Sequence, residues 1–240
     1  MGVEIEIGRA AVMVLAGGSG ARFGAAGNKV YEELAGATVL SWSLNTLGEV
    51  PGVGPLLLVA RPADRELVRR MLAAEVRHPV EVVDGGATRQ ESELCGLRHL
   101  ADRIHSGEVD TVLIHDGARP LVSAELGAAI IAAARDSGGA IPGVPRTDLA
   151  RASDDGMGLD GGAGPGMVAV QTPQGFAAGP LLAAYERAAV DGFAGTDTAS
   201  CIQHYTEISV RCIPGEGRNF KITYAHDLRI ADAVIARGTA

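Results

Sequence analysis

Residues 11–24 read AVMVLAGGSGARFG, and the reading of the whole chain turns on them. Six apolar residues, Ala11 to Ala16, break at once into a glycine-rich turn. A short, continuous apolar run bounded by turn residues is the pattern of a strand buried on both faces. Consecutive glycines at its end allow backbone N–H groups to come close to an anion. The same pattern recurs downstream. Leu56–Ala60 (LLLVA) is a second buried strand, Val80–Val83 a third that ends at Asp84-Gly85-Gly86, and Thr111–Ile114 a fourth that ends at His115-Asp116. Segments of helical spacing separate them: Val39–Leu47, Ala63–Glu75 with Asp64 and Glu66 in its first turn, Arg89–Leu100, and Ala124–Arg135. This alternation predicts an α/β fold with a doubly wound, mostly parallel sheet, in which ligands bind beyond the carboxyl ends of the strands. The polar clusters after Ala16, Val83 and Ile114 are therefore expected at one edge.

Composition supports this. The chain has 240 residues, 47% of them hydrophobic but only 4% aromatic, so its core is aliphatic, as in parallel sheets covered by helices on both faces. The net charge of −8 excludes the basic footprint of a nucleic-acid binder. No run approaches the roughly 18 apolar residues of a membrane span. Residues 1–9 carry Glu4 and Glu6 and lack the basic region and apolar core of a signal peptide, so a cytoplasmic location is expected. Cys95, Cys201 and Cys212 match no metal or disulfide spacing and are expected as reduced core thiols.

After the strand at Gly139–Val144, residues 151–167 (RASDDGMGLDGGAGPGM) lose periodicity and read as an excursion from the core. The pattern resumes with a strand at Val168–Val170, a Thr172-Pro173-Gln174 corner, helices at Pro180–Ala189 and Thr198–Tyr205, a strand at Ile208–Ile213 and a helix at Asp227–Ala236.

Four clusters carry candidate chemistry. In the first, Gly17, Gly18 and Gly20 are followed by Arg22 and Lys29. No Lys-Ser or Lys-Thr pair follows the glycines, so this is no Walker A loop, and Phe23 stands where a dinucleotide fingerprint needs glycine. Two cations beside a phosphate loop suit a triphosphate whose pyrophosphate must leave. In the second, Asp84-Gly85-Gly86-Ala87-Thr88-Arg89-Gln90-Glu91-Ser92, the glycines would let a flat ring lie against the backbone. Taken alone, this segment reads as a helix cap with a solvated Arg89. In the third, His115-Asp116-Gly117-Ala118-Arg119, a strand-end carboxylate is a natural Mg²⁺ ligand; the competing reading is an Asp that caps the next turn, with His115 packed in the core. The fourth, Asn219-Phe220-Lys221-Ile222-Thr223, sets one lysine among apolar neighbours, from which spacing alone decides little.

The segments LAGGSGARFG with NK, VVDGGATRQES, HDGARPLV, AVQTPQGF, GTDTAS and NFKIT occur in this order between about residues 11 and 235. Together they resemble the 2-C-methyl-D-erythritol 4-phosphate cytidylyltransferases and the related ribitol-5-phosphate cytidylyltransferases. The resemblance implies a Rossmann-like sheet of the nucleotide-diphospho-sugar transferase type, one cytidylyltransferase domain over residues 1–240, and a protruding β-arm at 146–170 that joins two subunits of a homodimer. It implies CTP and a small phosphorylated polyol as reactants, with Mg²⁺ as cofactor. Ala16, Gly17, Gly86, Ala87 and Ser92 would recognise cytosine, with Gly18 and Gly20 in the same nucleotide loop. Arg22 and Lys29 would stabilise the transition state, and Asp116 would bind the metal. Lys221 and Thr196 would lie near the acceptor phosphate, with Arg119 bracing the pocket. Two positions depart from the family pattern: Gly164 stands where an arm arginine usually grips the acceptor, and Asp148 where a threonine usually binds it. A different acceptor, such as ribitol 5-phosphate or a phosphonate, is therefore the alternative. A non-catalytic nucleotide-binding regulatory module and an NAD-dependent oxidoreductase are the competing readings from other classes.

Overall fold

The computed structural model describes residues 9–18, 28–155, 157–162 and 166–238. Strand β1 (Ala10–Leu15) leads, past residues 29–31 in a 3₁₀ turn, to a small ribbon of β2 (Glu33–Leu34) and β3 (Ala37–Thr38). There follow α1 (Val39–Gly48), β4 (Val53–Ala60), α2 (Arg65–Glu75), β5 (Glu81–Asp84), α3 (Arg89–His99) and α4 (Ala101–His105). Next come β6 (Thr111–Asp116), α5 (Ala124–Ser137), β7 (Gly139–Pro145), β8 (Ala150–Ala152), β9 (Leu159–Gly162), β10 (Val168–Val170) and β11 (Gln174–Ala177). The chain closes with α6 (Ala178–Asp191), α7 (Thr198–Tyr205), β12 (Arg211–Pro214) and α8 (Ala225–Ala236).

The main sheet runs in the order β10-β7-β11-β6-β1-β4-β5, with β12 also paired to β7. Strands β6, β1, β4 and β5 are parallel. Strand β11 lies antiparallel to both β6 and β7, so the sheet is mixed at that end. Gln174, expected in the Thr172-Pro173-Gln174 corner, opens this strand instead; four residues containing a glycine carry too little pattern to announce one.

The alternation of strand side chains shows why both faces are covered. Val12 and Val14 of β1, Leu56 and Leu58 of β4, and Leu113 of β6 join α1, α2 and α5 in one apolar cluster. Ala11, Met13, Leu57, Val59, Val112 and Ile114 face the other way, into a cluster with α3, α4, α6 and α7. Strands buried on both faces must be apolar throughout, which is what the runs at 11–16 and 56–60 display. A third, smaller cluster holds α8: Ala231 packs with Leu34, Val39, Leu121 and Ile222.

Residues 146–170, expected as an arm, contain the antiparallel pair β8–β9. Leu149, Met157, Met167 and Val170 expose apolar side chains there. Of the cysteines only Cys201 is a core residue. Cys95 is half-buried and Cys212 is exposed, because β12 is a short strand on the sheet margin rather than a buried one.

Phe176 is fully buried and joins β11 to the α6 face of the core. Phe176→Ala is expected to cost about 3–5 kcal/mol of stability, read as a lower urea midpoint with an unchanged slope.

Candidate active site

Strands β1 and β6 are parallel and in register, so Leu15 lies beside Asp116. Beyond their carboxyl ends opens a cavity of about 460 Å³. Its wall brings together the three strand-end clusters: Ala16, Gly17 and Gly18 after β1, Gly86, Ala87 and Ser92 after β5, and Asp116 at the end of β6. Lys29, Arg89 and Lys221 also line it. Of the residues expected at the nucleotide site, Gly20 and Arg22 lie outside the described residues, as does Gly164.

Local chemistry explains how each group is held. Asn28 caps the 3₁₀ turn at residues 29–31, and its Nδ2 donates to the carbonyl of Ala16 at 2.6 Å. That bond ties the turn carrying Lys29 to the end of β1. On the opposite wall, Thr88 and Glu91 form a capping box that starts α3. The Glu91 carboxylate accepts from the N–H groups of Ala87 (2.7 Å) and Thr88 (3.0 Å). A side chain at Gly86 would put its Cβ 2.4 Å from Cβ of Glu91, so only glycine allows this close turn. Ser92 donates to the Thr88 carbonyl and sits close to Gly17, where an added Cβ would lie 3.6 Å from its Oγ.

Lys221 is presented by its apolar neighbours. Ile222 is fully buried in the α8 cluster, Phe220 packs against that cluster, and the N–H of Ile222 donates to the Ala118 carbonyl at 2.8 Å. With the flanking residues anchored, Lys221 reaches Asp116, Nζ to Oδ2 at 2.8 Å. The segment is not a strand, and where spacing alone decides little the fold makes Lys221 a cation held at the cavity wall.

Asp116 is the hub. Its side chain is 9% exposed, and it pairs with Arg89 through Oδ1 and Lys221 through Oδ2. The Arg119 guanidinium lies 3.8 Å from Oδ2. Burial alone would raise the Asp116 carboxyl, but Arg89, then Lys221 and Arg119, outweigh it and hold it well below the usual carboxylate range. Arg119 braces this arrangement from outside the cavity wall, donating to the Asn219 carbonyl at 2.8 Å.

Arg89 corrects the reading of a solvated side chain. Its guanidinium is shared between Asp116 and Glu93, the latter at 2.8 Å through Nε. The helix-cap role belongs to Thr88. The signal available in the sequence was the spacing of Arg89 and Glu93, one helical turn apart. A second cavity of about 500 Å³ lies on the other side of Arg89, and Thr196 lines that one, not the first. Asp148 lies on the arm, away from both cavities, paired with Arg146 at 2.6 Å.

Among the described residues no group of three or more His, Cys, Asp or Glu gathers to hold a metal. Asp116 supplies one carboxylate to a cavity lined by glycine backbone and cationic side chains, and its oxygens are already paired with Arg89 and Lys221. One carboxylate fits Mg²⁺, which takes one or two and completes its shell with substrate phosphates and water, once a cation gives up its oxygen.

His115 is fully buried beside Asp116. Its Nδ1 lies 3.2 Å from the Thr172 hydroxyl, and its Nε2 3.2 Å from the Arg119 carbonyl. Burial, opposed by the Asp116 charge, pushes its pKa down to about 4. The native state thus binds its proton less readily than the unfolded chain, and this contribution to stability is complete above about 6.5 and lost as pH falls through about 4. Between those values the wild type is expected to lose more stability than His115→Asn, measured by urea unfolding at each pH.

Comparison with known proteins agrees with this geometry. The family model described as "IspD: 2-C-methyl-D-erythritol 4-phosphate cytidylyltransferase" matches residues 10–237. A bifunctional enzyme IspD/IspF of Clavibacter michiganensis is 41% identical over 234 residues, covering 95% of this chain and 55% of that protein. The chain thus spans about half the length of such bifunctional relatives. A 2-C-methyl-D-erythritol 4-phosphate cytidylyltransferase of Geobacter metallireducens is 36% identical, covering 93% of this chain and 96% of that one. Among solved structures, a 4-diphosphocytidyl-2C-methyl-D-erythritol synthase of Anaerococcus prevotii superposes with a TM-score of 0.81 at 28% identity, covering 95% and 98% of the two chains. The 2-C-methyl-D-erythritol 4-phosphate cytidylyltransferase of Thermus thermophilus gives 0.71 at 29%, again over 95% and 98%. With a family model matched over nearly its whole length, the chain belongs to the 2-C-methyl-D-erythritol 4-phosphate cytidylyltransferase family.

Proposed function

We propose that this chain transfers CMP from CTP to 2-C-methyl-D-erythritol 4-phosphate and releases pyrophosphate, a step of isoprenoid precursor synthesis. The observation that carries this reading is the convergence of glycine backbone, Lys29, Arg89, Lys221 and Asp116 on one cavity. A set of fixed cations around a single carboxylate suits a polyanion, and the glycine-lined wall at Gly86 leaves room for a flat base. This arrangement argues against an oxidoreductase, which has no need of such cations.

The chemistry needs no protein nucleophile. A phosphate oxygen of the acceptor attacks the α-phosphorus of CTP; the new P–O bond forms as the bond to the β-phosphate oxygen breaks, and pyrophosphate carries away the charge. The protein contributes position and charge neutralisation. Lys29, on its capped turn, would meet the triphosphate, with Arg22 assigned the same role by sequence. Lys221 would meet the acceptor phosphate or the transferring group. Mg²⁺, held by Asp116 together with triphosphate oxygens, would supply further neutralisation of the leaving group.

On the acceptor side, Thr196, Arg119 and the arm are assigned by the sequence resemblance, Thr196 from the second cavity and Arg119 from outside the wall of the first. We assign residues 146–170 to contacts with a second copy in a homodimer, on the ground that the arm shows apolar side chains to solvent, Met157 at 88% exposure among them. Among the described residues no helix is long and apolar enough to cross a membrane, and the reactants are all water-soluble phosphates, which favours a cytoplasmic enzyme.

Pyrophosphate release in the presence of CTP and Mg²⁺ tests the reading. Turnover is expected with methylerythritol phosphate, and Lys29→Ala is expected to lower kcat on the order of 10²–10³-fold. Turnover with ribitol 5-phosphate or a phosphonate but not with methylerythritol phosphate would reassign the acceptor and mark Asp148 as part of the change. CTP binding without turnover on any acceptor would favour a regulatory module.

A further inference from the structure

Glu93 is a buried carboxylate that the reaction itself does not use. It sits on the second turn of α3, and its side chain is 2% exposed. Among the described residues its carboxylate accepts from Arg89 Nε of the same helix at 2.8 Å, from the Thr198 hydroxyl at 3.1 Å, and from the Tyr185 hydroxyl. Tyr185 lies on α6 and Thr198 opens α7, so three helices meet on this one carboxylate. Its burial is hard to explain as stabilisation, since a buried ion pair gains little over well-packed apolar residues.

Arg89 supplies the explanation. It is the first residue of α3, where the helix dipole opposes a cation. It also shares the cavity with Lys29 and Lys221. Three cations around one cavity repel each other, and an unsecured arginine would swing out to water. Glu93, one turn along the helix, holds the Nε edge of the guanidinium from behind. A different edge, Nη1, faces Asp116. Among the described residues no other hydrogen bond engages the fork, whose remaining N–H groups are available to a ligand in the cavity.

We propose that Glu93, braced by Tyr185 and Thr198, is a positioning residue that holds Arg89 in the cavity as a ligand of the nucleotide triphosphate. The inference rests on the CTP reading above, and it adds a role that acts through Arg89 alone. Its effect belongs to CTP binding, not to the acceptor.

A double-mutant cycle tests it, with CTP affinity measured by titration calorimetry and steady-state constants measured beside it. Glu93→Gln is expected to weaken CTP binding roughly tenfold, the size of one charge-assisted hydrogen bond, with the KM for the acceptor unchanged. In the Arg89→Met background the same substitution should add less than about twofold, because the route runs through Arg89. Equal effects in both backgrounds, or a change in acceptor KM equal to that for CTP, would reduce Glu93 to a structural residue and overturn the proposal. Should Glu93→Gln fail to fold, Tyr185→Phe and Thr198→Val carry the test. Each removes one brace and should weaken CTP binding at least twofold with Arg89 present but not with Met there; no change in either would contradict the proposal. A wild type that binds no CTP defeats both this inference and the CTP reading. A wild type that binds CTP but ignores Glu93→Gln defeats only the inference.

Discussion

A carboxylate surrounded by guanidinium and ammonium groups organises this protein. Asp116, nearly removed from water, meets Arg89 from α3, Lys221 from the segment before α8, and Arg119 from the turn after its own strand. Cations brought so close would repel each other without it, and Asp116 would be costly to bury without them. Each needs the others. The cationic residues also lie as far as 105 residues from Asp116 along the chain, so the cluster exists only when the sheet, α3 and the α8 cluster are all in place.

The parallel sheet makes that meeting possible. Placing β1, β5 and β6 side by side or nearby with the same polarity puts their carboxyl ends on one edge, where no strand continues and backbone groups are free. The glycines there admit a ligand to the backbone, and the capped turns on either side fix the cations. The charge pattern is thus prearranged before any ligand arrives. This is what a reaction needs when its difficulty lies in bringing two phosphates together while a third group leaves with more charge. The buried His115 beneath Asp116 serves the same end differently. Kept neutral by burial, it packs behind the site, between the Thr172 hydroxyl and the Arg119 carbonyl, and adds no charge to it.

Much of this is legible in the sequence, and the reason is physical. Strands buried on both faces must be apolar without interruption, so 11–16 and 56–60 stand out, and the polar residues that follow them stand out equally. The convergence of Ala16, Gly86 and Asp116 follows from topology. What escapes is set by contacts distant in sequence. Arg89 reads as a surface residue until Asp116 is known to face it, and Glu93 reads as an ordinary helix carboxylate until Tyr185 and Thr198 enclose it. Lys221 shows little in its own neighbourhood because its place is decided by Ile222 and Phe220 packing under α8. Short strands such as β2, β3 and β11 carry too few residues for a period to register. The exposure of Cys212 escapes for a related reason: a cysteine's tendency to burial does not tell whether its strand lies within the sheet or at its margin.

The claim on which the account rests is that this prearranged charge receives the triphosphate of a nucleotide. The most direct measurement is calorimetric titration of the protein with CTP, CDP and CMP under one set of salt and Mg²⁺ conditions. Affinity is predicted to fall with each phosphate removed, by on the order of tenfold or more between CTP and CMP, which is at least about 1.4 kcal/mol. Equal affinity for all three would mean that the cations around Asp116 hold the fold together and do not hold the nucleotide, and would contradict the account.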